Sequence, residues 1–452
     1  MFKGLLSILV AAVLLLGCGG GENSSVTTIT GGGQQGPQAG PVIRAAFVAL
    51  DNNLEVVVDA GPTDGFSLAQ ANILYATVTV CEPGSSFNCQ TIDHIQVDTG
   101  SVGLRVLASK VKALNLPSVE LATDAVNGRP IVAHECYPFV IGGLWGPNKV
   151  ADVGLGKQWA TRIPIQLIQD DAAALPAVPQ DCTDAADEKI LSSASTLGSN
   201  GILGIGSVTL DCGHICVLGD YSNSYVQYWA CPQDAISTVN CQAAAIPANF
   251  QVFNPVAALP QHNNGVVLTL PAVDGLGASK VYGELIFGIN TSSSSASSNN
   301  QLAATARRVN LGVDWQNNFA SYLNVTTQFN GATIANSYLD TGTNALFFTD
   351  TGITNCLGST WFCPKDLLHL SAVLSDGDNP AQNKTTVAFD VGNADSLFST
   401  TNTAFPLLAG TYTAAAASGP SFSWGLPFFY GRRTYLSIWQ QAGAENGPWY
   451  AF

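Results

Sequence analysis

Hydrophobic and polar residues alternate in short runs along much of the chain, and turn-forming residues separate one run from the next. Alternation with a period of two places every second side chain on the same face of a strand. Helical periodicity is scarce, and 170–180 and 364–374 are the short helix candidates. The pattern therefore predicts a mainly β chain. The clearest strand-like runs are 73–80, 91–97, 264–270, 283–289 and 322–329.

Two acidic phrases divide the chain into halves with parallel content. IQVDTGSVGLRV begins at Ile95, and SYLDTGTNALFF begins at Ser337. Each phrase ends an apolar run with Asp-Thr-Gly, followed by a hydroxyl residue and then by a leucine. Further along each half comes an apolar pair with a glycine, in NGILGIG and in SWGLPFFYGRRTYLSI. This repetition predicts an N-terminal β lobe over 41–245 and a C-terminal β lobe over 246–452.

A leader and a tether are predicted ahead of the two lobes. Residues 1–18 contain one lysine, an apolar run that ends at Leu16, and then Gly17 and Cys18. The run is too short to remain in a bilayer as a spanning helix, so it predicts an export signal. LLGC resembles the lipobox of bacterial lipoproteins, which implies lipidation at Cys18; an ordinary secretory signal with an incidental cysteine is the alternative. Residues 19–40 lack apolar periodicity, which is typical of a flexible tether.

The cysteines and the leader together predict a disulfide-bonded protein of the bacterial cell envelope. Gly19, rather than an aspartate, follows Cys18, which by the lipoprotein sorting rule favours the outer membrane. Removing Cys18 from the 11 cysteines leaves ten, an even number in an exported chain. Sequence leaves the connectivity open, although proximity favours four short pairs and leaves Cys136 with Cys182. The short pairs are Cys81 with Cys89, Cys212 with Cys216, Cys231 with Cys241, and Cys356 with Cys363.

Composition and charge exclude several classes of function. The 452 residues include 32 acidic and 17 basic side chains, a formal charge of -15, so nucleic acid would be repelled. The segment CGHIC at 212–216 has a metal-fragment interpretation besides the disulfide one. The chain has no matching Cys or His cluster, no HExxH, no G-x-S-x-G and no P-loop. Neither a metal nor a cofactor is therefore predicted.

The paired phrases resemble the two active-site strands and loops of the pepsin-like aspartic peptidases. The similarity extends to the elements that cross behind the loops in that family, at Ile202 to Gly204 in the first half and at Trp424 and Gly425 in the second. The resemblance implies a bilobal β fold with a cleft between the lobes. The chain is also similar to an uncharacterised family of bacterial lipoproteins, which supplies no activity.

The resemblance implies that Asp98 and Asp340 form a catalytic dyad, one carboxyl from each lobe. Two carboxylates held close together cannot both ionise cheaply, so they share one proton and supply an acid and a base. Three pairs of residues would support the dyad, through hydroxyls that tie the loops together, glycines that allow tight turns, and hydroxyls bonded to the outer carboxylate oxygens. In that order these pairs are Thr99 and Thr341, Gly100 and Gly342, and Ser101 and Thr343.

The flap is the part of the family pattern that this sequence matches least. In the peptidases a hairpin carries a tyrosine, which a tryptophan just after the first loop holds in place. Arg105 stands at the position of that tryptophan. The best flap candidate is 136–153, where a turn at 142–146 would present Trp145, with Tyr137 further back. Packing roles for both aromatic residues, and pairing of Arg105 with a surface carboxylate, are the alternatives.

The sequence therefore predicts a monomeric, lipid-anchored aspartic endopeptidase that acts on peptides or proteins. The alternative is a catalytically weak or inactive protein that binds a partner on the same fold. Two intact Asp-Thr-Gly triplets favour the peptidase, whereas the departures at the flap favour the binding protein.

Overall fold

The computed structural model describes residues 40–62, 70–125, 128–170, 178–221, 225–233, 241–291, 299–312, 323–412, 420–439 and 448–452. The predicted leader, the lipidation site Cys18 and the tether up to residue 39 lie outside these ranges. Within them, no helix is both long enough and apolar enough to cross a bilayer.

Short strands with alternating burial make up most of both halves. The strands of the first half are β1 (Val42–Arg44), β2 (Asn53–Val58), β3 (Leu74–Cys81), β4 (Cys89–Asp98), β5 (Val102–Leu107), β6 (Glu120–Thr123), β7 (Pro130–Phe139), β8 (Gly142–Leu155), β9 (Gln158–Ile168), β10 (Gly201–Ile205), β11 (Tyr228–Pro232) and β12 (Gln242–Ala243).

The second half continues in the same manner. Its strands are β13 (Gly265–Thr269), β14 (Lys280–Phe287), β15 (Arg308–Asn310), β16 (Val325–Phe329), β17 (Ala332–Leu339), β18 (Leu346–Phe348), β19 (Leu368–Ser375), β20 (Thr385–Val391), β21 (Ala409–Thr411), β22 (Ser421–Trp424), β23 (Arg433–Ser437) and β24 (Trp449–Ala451). The helices are short: α1 (Gln180–Ala185), α2 (Ala194–Leu197), α3 (His214–Leu218), α4 (Ala394–Phe398), and 3-10 turns at Ala108–Val111, Ala248–Phe250 and Leu426–Phe429.

The same three-strand arrangement occurs once in each half. In the first half, β10 pairs parallel with β4 and antiparallel with β5, so it lies between the strands that flank Asp-Thr-Gly 98–100. In the second half, β22 pairs parallel with β17 and antiparallel with β18 around Asp-Thr-Gly 340–342. The apolar segments with glycine that the sequence analysis singled out therefore do cross behind the two loops.

The halves also share one sheet, which joins the lobes. Strand β2 pairs with β3 of the first half and with β14 of the second, and β14 continues through β13 to β23 and β24. A second sheet, containing β16 to β22, belongs to the second half alone. Where the two Asp-Thr-Gly loops meet, a cavity of ≈ 320 Å³ opens between the lobes. The predicted fold class, mainly β with two lobes and a cleft between them, is confirmed.

One continuous hydrophobic core runs through both lobes, and its composition differs between them. In the first lobe, aliphatic residues of β3, β4, β5 and β8 fill the interior. In the second, aromatic side chains stack on one another: Phe422 lies 4.4 Å from Trp424 and 4.9 Å from Phe348, centroid to centroid. Both parts of this core lie directly behind the Asp-Thr-Gly loops, and close packing of this kind holds the loops in fixed positions.

Five disulfides join the ten cysteines outside the leader. All four short pairs form as proximity suggested, and Cys136 bonds Cys182 across 46 residues. The CGHIC segment is one of these disulfides, so its two sulfurs are not free to bind a metal.

One helix candidate from the sequence is wrong. Residues 368–375 form strand β19, which pairs with β16 and β20, because alternate side chains of LHLSAVLS face the core. The other candidate falls largely on residues 171–177, which lie outside the described residues, and α1 begins only at Gln180.

Candidate active site

Asp98 ends strand β4, and Asp340 follows strand β17 directly, so the two loops approach each other from opposite lobes. Their threonines connect them. The Thr341 backbone N–H donates to Thr99 Oγ1 at 3.0 Å, and the Thr99 N–H donates to Thr341 Oγ1 at 3.1 Å. The Thr341 hydroxyl also donates to the Val97 carbonyl at 2.8 Å. These buried reciprocal bonds fix the spacing of the two carboxyl groups.

Each carboxylate is held by donors of its own loop, and the two sets match. For Asp98, the Gly100 N–H donates to Oδ1 at 2.7 Å and the Ser101 hydroxyl donates to Oδ2 at 2.5 Å. For Asp340, the corresponding donors are the Gly342 N–H and the Thr343 hydroxyl, both at 2.7 Å. The six sequence-predicted supporting residues therefore all lie in the two loops, where two of them connect the loops and four donate to the carboxylates.

The glycine of each loop lies beneath the carboxyl group of the other loop. A Cβ atom added at Gly100 would stand 2.8 Å from the Asp340 carboxyl carbon, and one at Gly342 would stand 2.6 Å from Asp98 Oδ1. Both distances are shorter than any normal van der Waals contact, so any other residue at either position would displace the facing carboxyl group. Close approach of the two carboxyl groups thus depends on both glycines.

The electrostatics favour a shared proton. Asp98 is only 6% exposed, and it lines the same cavity as Asp340. Burial, and next the facing Asp340 carboxyl, raise the pKa of Asp98 well above its usual range, while the bonds from Ser101 and Gly100 act in the opposite direction. One proton therefore stays on the pair under conditions in which an isolated aspartate would be ionised.

Two further residues support the loops, and the sequence analysis missed both. The Tyr450 hydroxyl donates to the Leu339 carbonyl at 2.8 Å, and the Gln96 side chain donates to the Gly342 carbonyl at 3.1 Å. Gln96 was detectable in principle, because it lies two residues before Asp98 and alternation turns both side chains to the same face. Tyr450 comes from the last strand and left no local signal.

A third Asp-Thr-Gly, at 350–352, also escaped the sequence analysis. Asp350 Oδ1 accepts the Gly352 N–H at 2.8 Å, which is the same local turn as in the dyad loops. Its other oxygen accepts from the Asn330 amide at 2.9 Å, and Ile353 stands where the dyad loops have a hydroxyl residue. This exposed turn is not part of the site, so the triplet by itself does not mark a catalytic loop.

The predicted flap is a hairpin, but its turn is elsewhere than expected. Strands β7 and β8 pair from His134 opposite Pro147 to Phe139 opposite Gly142, and Val140 and Ile141 form the turn. Both turn residues are largely exposed and line the cleft together with Phe139. The hairpin thus reaches over the carboxyl pair with an apolar tip.

The expected placement of Trp145 requires correction. Residues 142–146 belong to strand β8, and Trp145 is fully buried, stacked on His134 at 5.4 Å. Trp145 lies opposite Cys136, whereas Tyr137 lies opposite Leu144, so the two aromatic side chains point to opposite faces of the hairpin. Tyr137 is on the face toward the first lobe's loop, and Trp145 packs near the Cys136–Cys182 disulfide.

Arg105 is not a surface residue. Its guanidinium is fully buried and donates to Glu135 Oε1 at 2.6 Å and to Asp211 Oδ2 at 2.9 Å. Both of these carboxyl groups are buried as well. Its planar face lies over the Tyr137 ring, with the central carbon 3.7 Å from the ring centroid. Burial, and next the neighbouring Glu135, raise the pKa of Asp211 well above its usual range. Sequence reasoning missed both acidic partners.

Comparison with known proteins identifies a family. A family model described as "Protein of unknown function (DUF3443)" matches residues 49–452. The chain belongs to DUF3443. This confirms the expectation of a family without an assigned activity. Comparison with curated proteins gave no similar sequence.

Among solved structures, the DUF3443 chain is similar to an aspartic proteinase from Irpex lacteus. The sequence identity is 13%, the TM-score is 0.43, and the match covers 88% of this chain and 96% of that chain. A likeness this weak supports no inference about activity, which must come from the geometry of the site.

Proposed function

We propose that the chain is an aspartic endopeptidase in which Asp98 and Asp340 activate water and hydrolyse peptide bonds. The supporting observation is the carboxyl pair itself. Two symmetrical loops present Asp98 and Asp340 to each other at the base of a cleft, with matched donors on both, and burial raises the pKa of Asp98 well above its usual range. A pair of this kind supplies a base and an acid at the same point.

In the proposed reaction, the ionised carboxyl takes a proton from a water molecule while the protonated carboxyl hydrogen-bonds the scissile carbonyl oxygen and gives it its proton. The water oxygen attacks the carbonyl carbon and forms a tetrahedral diol. Proton transfer to the amide nitrogen then allows the C–N bond to break, which releases a carboxylic acid and an amine. The pair ends with one proton, as it began. Water supplies every added atom, so no cofactor takes part.

The cleft suits an extended peptide or protein segment. Apolar side chains from both lobes line it, with Ile141 and Leu191 on one side and Phe347 and Trp361 on the other. Gln96 and Thr411 add neutral polar groups along the same walls. An opening between two lobes accommodates a chain that continues in both directions, which is the requirement for an endopeptidase.

The test is cleavage of a denatured protein mixture by the purified full chain, from acid to neutral pH. Asp98→Asn and Asp340→Asn should each lower kcat/KM by roughly 10²-fold to 10⁴-fold, because each removes half of the acid–base pair. Asp350→Asn is the matched control, since it makes the same change in an Asp-Thr-Gly turn outside the cleft. A statine-type inhibitor should block the wild type.

Three results would reject the peptidase. The first is a correctly folded, disulfide-bonded wild type that is inactive at every pH. The second is cleavage by the dyad variants at the wild-type rate, which would indicate a contaminating enzyme. The third is equal loss in Asp350→Asn. In the first case, a protein that binds a partner in the same cleft would replace the peptidase as the proposed function.

We also propose that the protein is a monomer held at the outer membrane by lipid on Cys18. The support is the apolar leader followed by LLGC and Gly19. Labelling with radioactive palmitate in a bacterial host should mark the wild type and not Cys18→Ala. Label in both variants, or a wild type recovered wholly in the soluble fraction, would contradict the anchor.

A further inference from the structure

We propose that Arg105 is a positioning residue, which holds the flap strand β7, and Tyr137 in particular, in place above the Asp98–Asp340 pair. This inference rests on the proposed function for its catalytic consequence. Its structural part, that Arg105 immobilises the flap, stands independently and is tested independently.

Arg105 lies on the element that directly follows the first catalytic loop. Strand β5 begins four residues after Asp98, and Arg105 pairs with Ile202 of β10 on one side and with Gln166 of β9 on the other. One guanidinium nitrogen donates to the Val102 carbonyl of the same strand at 2.6 Å. The base of the side chain is thus fixed to the framework that carries Asp98.

The guanidinium of Arg105 contacts two residues of the flap strand β7, Glu135 and Tyr137. Glu135 and Tyr137 are two residues apart on β7, so their side chains share one face of the strand. The guanidinium edge donates to Glu135 Oε1 at 2.6 Å, and its flat face covers the Tyr137 ring at 3.7 Å. An arginine can form both contacts at once because its group is planar, whereas a lysine ammonium cannot.

Burial makes this arrangement rigid. Arg105 and Glu135 have no solvent exposure, so a rotation that separated them would leave charges unpaired away from water. Asp211 accepts from the same guanidinium nitrogen, and the Gln227 amide donates to Glu135 at 3.1 Å and to Asp211 at 2.9 Å. The hydrogen-bonded network therefore allows one position of the guanidinium.

Tyr137 is connected to the cleft through its contact with Phe139. Tyr137 contacts Phe139, with ring centroids 4.9 Å apart, and Phe139 lines the cleft together with Asp98 and Asp340. A shift of Tyr137 would carry Phe139 and the turn at Val140 and Ile141 with it. Arg105 thus acts on the site through the flap and without touching the reacting atoms.

The experiment compares Arg105→Lys with Arg44→Lys. Arg44 is a matched control on the surface: it pairs with Glu55 at 2.6 Å and lies 3.6 Å over the Tyr282 ring. We expect Arg105→Lys to accelerate hydrogen exchange of the flap amides at 137–144 at least tenfold, relative to the amides of β19. It should lower kcat/KM about tenfold or more, mainly through KM. Arg44→Lys should change neither quantity.

If Arg105→Lys folds poorly, a second pair of variants, at Tyr137, tests the same inference. Tyr137→Leu removes the stacked ring and leaves the buried ion pair intact, whereas Tyr137→Phe keeps the ring face. Hydrogen exchange of the flap amides should be faster in Tyr137→Leu than in the wild type, and should return to the wild-type rate in Tyr137→Phe.

Two outcomes would overturn the inference: unchanged flap exchange in both Arg105→Lys and Tyr137→Leu, or an equal acceleration across the whole protein, which would indicate a purely structural role. An inactive wild type would reject the peptidase, while the exchange data would still decide the role of Arg105.

Discussion

The first lobe contains a second pair of buried carboxyl groups, Glu135 and Asp211, and its surroundings differ from those of the Asp98–Asp340 pair. In both pairs, burial and next the neighbouring carboxyl raise the pKa of one member well above its usual range. The Asp98 pair is held by backbone N–H groups and hydroxyls and opens onto a cleft. Glu135 and Asp211 are fully buried and accept hydrogen bonds from the guanidinium of Arg105.

The difference separates a pair suited to reaction from a pair suited to support. Around Glu135 and Asp211, one negative charge is balanced by Arg105, and the Tyr228 hydroxyl donates to Asp211 at 2.9 Å. Because Glu135 and Asp211 are both fully buried, neither carboxyl can exchange a proton with a substrate. Around Asp98 and Asp340, the neutral donors leave the negative charge uncompensated, so it remains available to take a proton from water. The neighbours, more than the carboxyl groups, decide the role of each pair.

The largest effect is expected when the balance around Arg105 is broken. Glu135→Gln/Asp211→Asn leaves the buried guanidinium without a carboxylate and should lower the free energy of unfolding by about 3–5 kcal/mol. Each single variant keeps one carboxyl that can ionise against Arg105, so it should cost only about 1–2 kcal/mol. Urea unfolding at neutral pH measures these values. Asp98→Asn/Asp340→Asn is the counterpart, expected to stay within about 1 kcal/mol of the wild type because it relieves repulsion.

Strictly additive costs at Glu135 and Asp211 would contradict this account, since they would mean that the two carboxyls do not substitute for each other. A dyad double variant that loses as much stability as the Arg105 network variant would remove the distinction between the pairs.

An intermediate effect is expected from the hydroxyl donors of the dyad. Ser101 donates to Asp98 and lowers its pKa. Ser101→Ala should therefore raise the upper apparent pKa of the dyad, extend the basic side of the activity profile to higher pH, and reduce kcat about tenfold, the equivalent of about 1.4 kcal/mol. Thr343→Ala is the matched variant on the other loop. A basic limb that stays at the wild-type pH in Ser101→Ala would contradict the role given to this hydroxyl.

The smallest effect concerns stability against pH. A carboxyl whose pKa is higher in the folded state stabilises the protein below the unfolded pKa near 3.8, and this stabilisation is lost as pH rises through the folded pKa. Asp98 and Asp211 both act in this direction. Stability should fall above that pH, with a slope of at most about 1.4 kcal/mol per pH unit for each group.

Asp98→Asn and Asp211→Asn should each flatten that slope, measured by urea unfolding from acid to neutral pH. Asp59 does not interfere, because its pKa is lowered to about 2 and its contribution changes only below this window. Variants that keep the full wild-type slope would show that neither carboxyl holds an extra proton in the folded state.

Much of the fold and of the dyad could be predicted because their signals are local. Alternation indicates strands, and an apolar run ending in Asp-Thr-Gly with a hydroxyl residue next indicates a loop of this kind. The comparison with Asp350 shows which part of that phrase is informative. The three-residue turn forms there too, but without the hydroxyl residue and without a partner loop. Repetition within the right context, rather than the triplet, carried the prediction.

The rest depended on contacts between distant segments. Tyr450 reaches the dyad region across 111 residues of sequence, and Asp211 meets Arg105 across 106. The turn of the flap was predicted at the wrong residues, because the register between β7 and β8, and not the glycine content, sets which residues lie opposite each other. One signal was available: Arg105 interrupts the apolar strand VGLRVL, and a charge in such a strand requires a buried partner.

Strand β2 also fixes the order in which the molecule can be assembled. Its neighbour β14 pairs Ile286 with Asn53, 233 residues earlier in the chain. During synthesis, the edge of β2 that pairs with β14 therefore stays unpaired until the chain has been made through Phe287, near the start of the second half. Closing so long a loop is slow, and an open edge of this kind invites pairing with other chains. The first half consequently cannot complete its sheet alone, and a nascent chain released before β14 would be a substrate for chaperones or for aggregation.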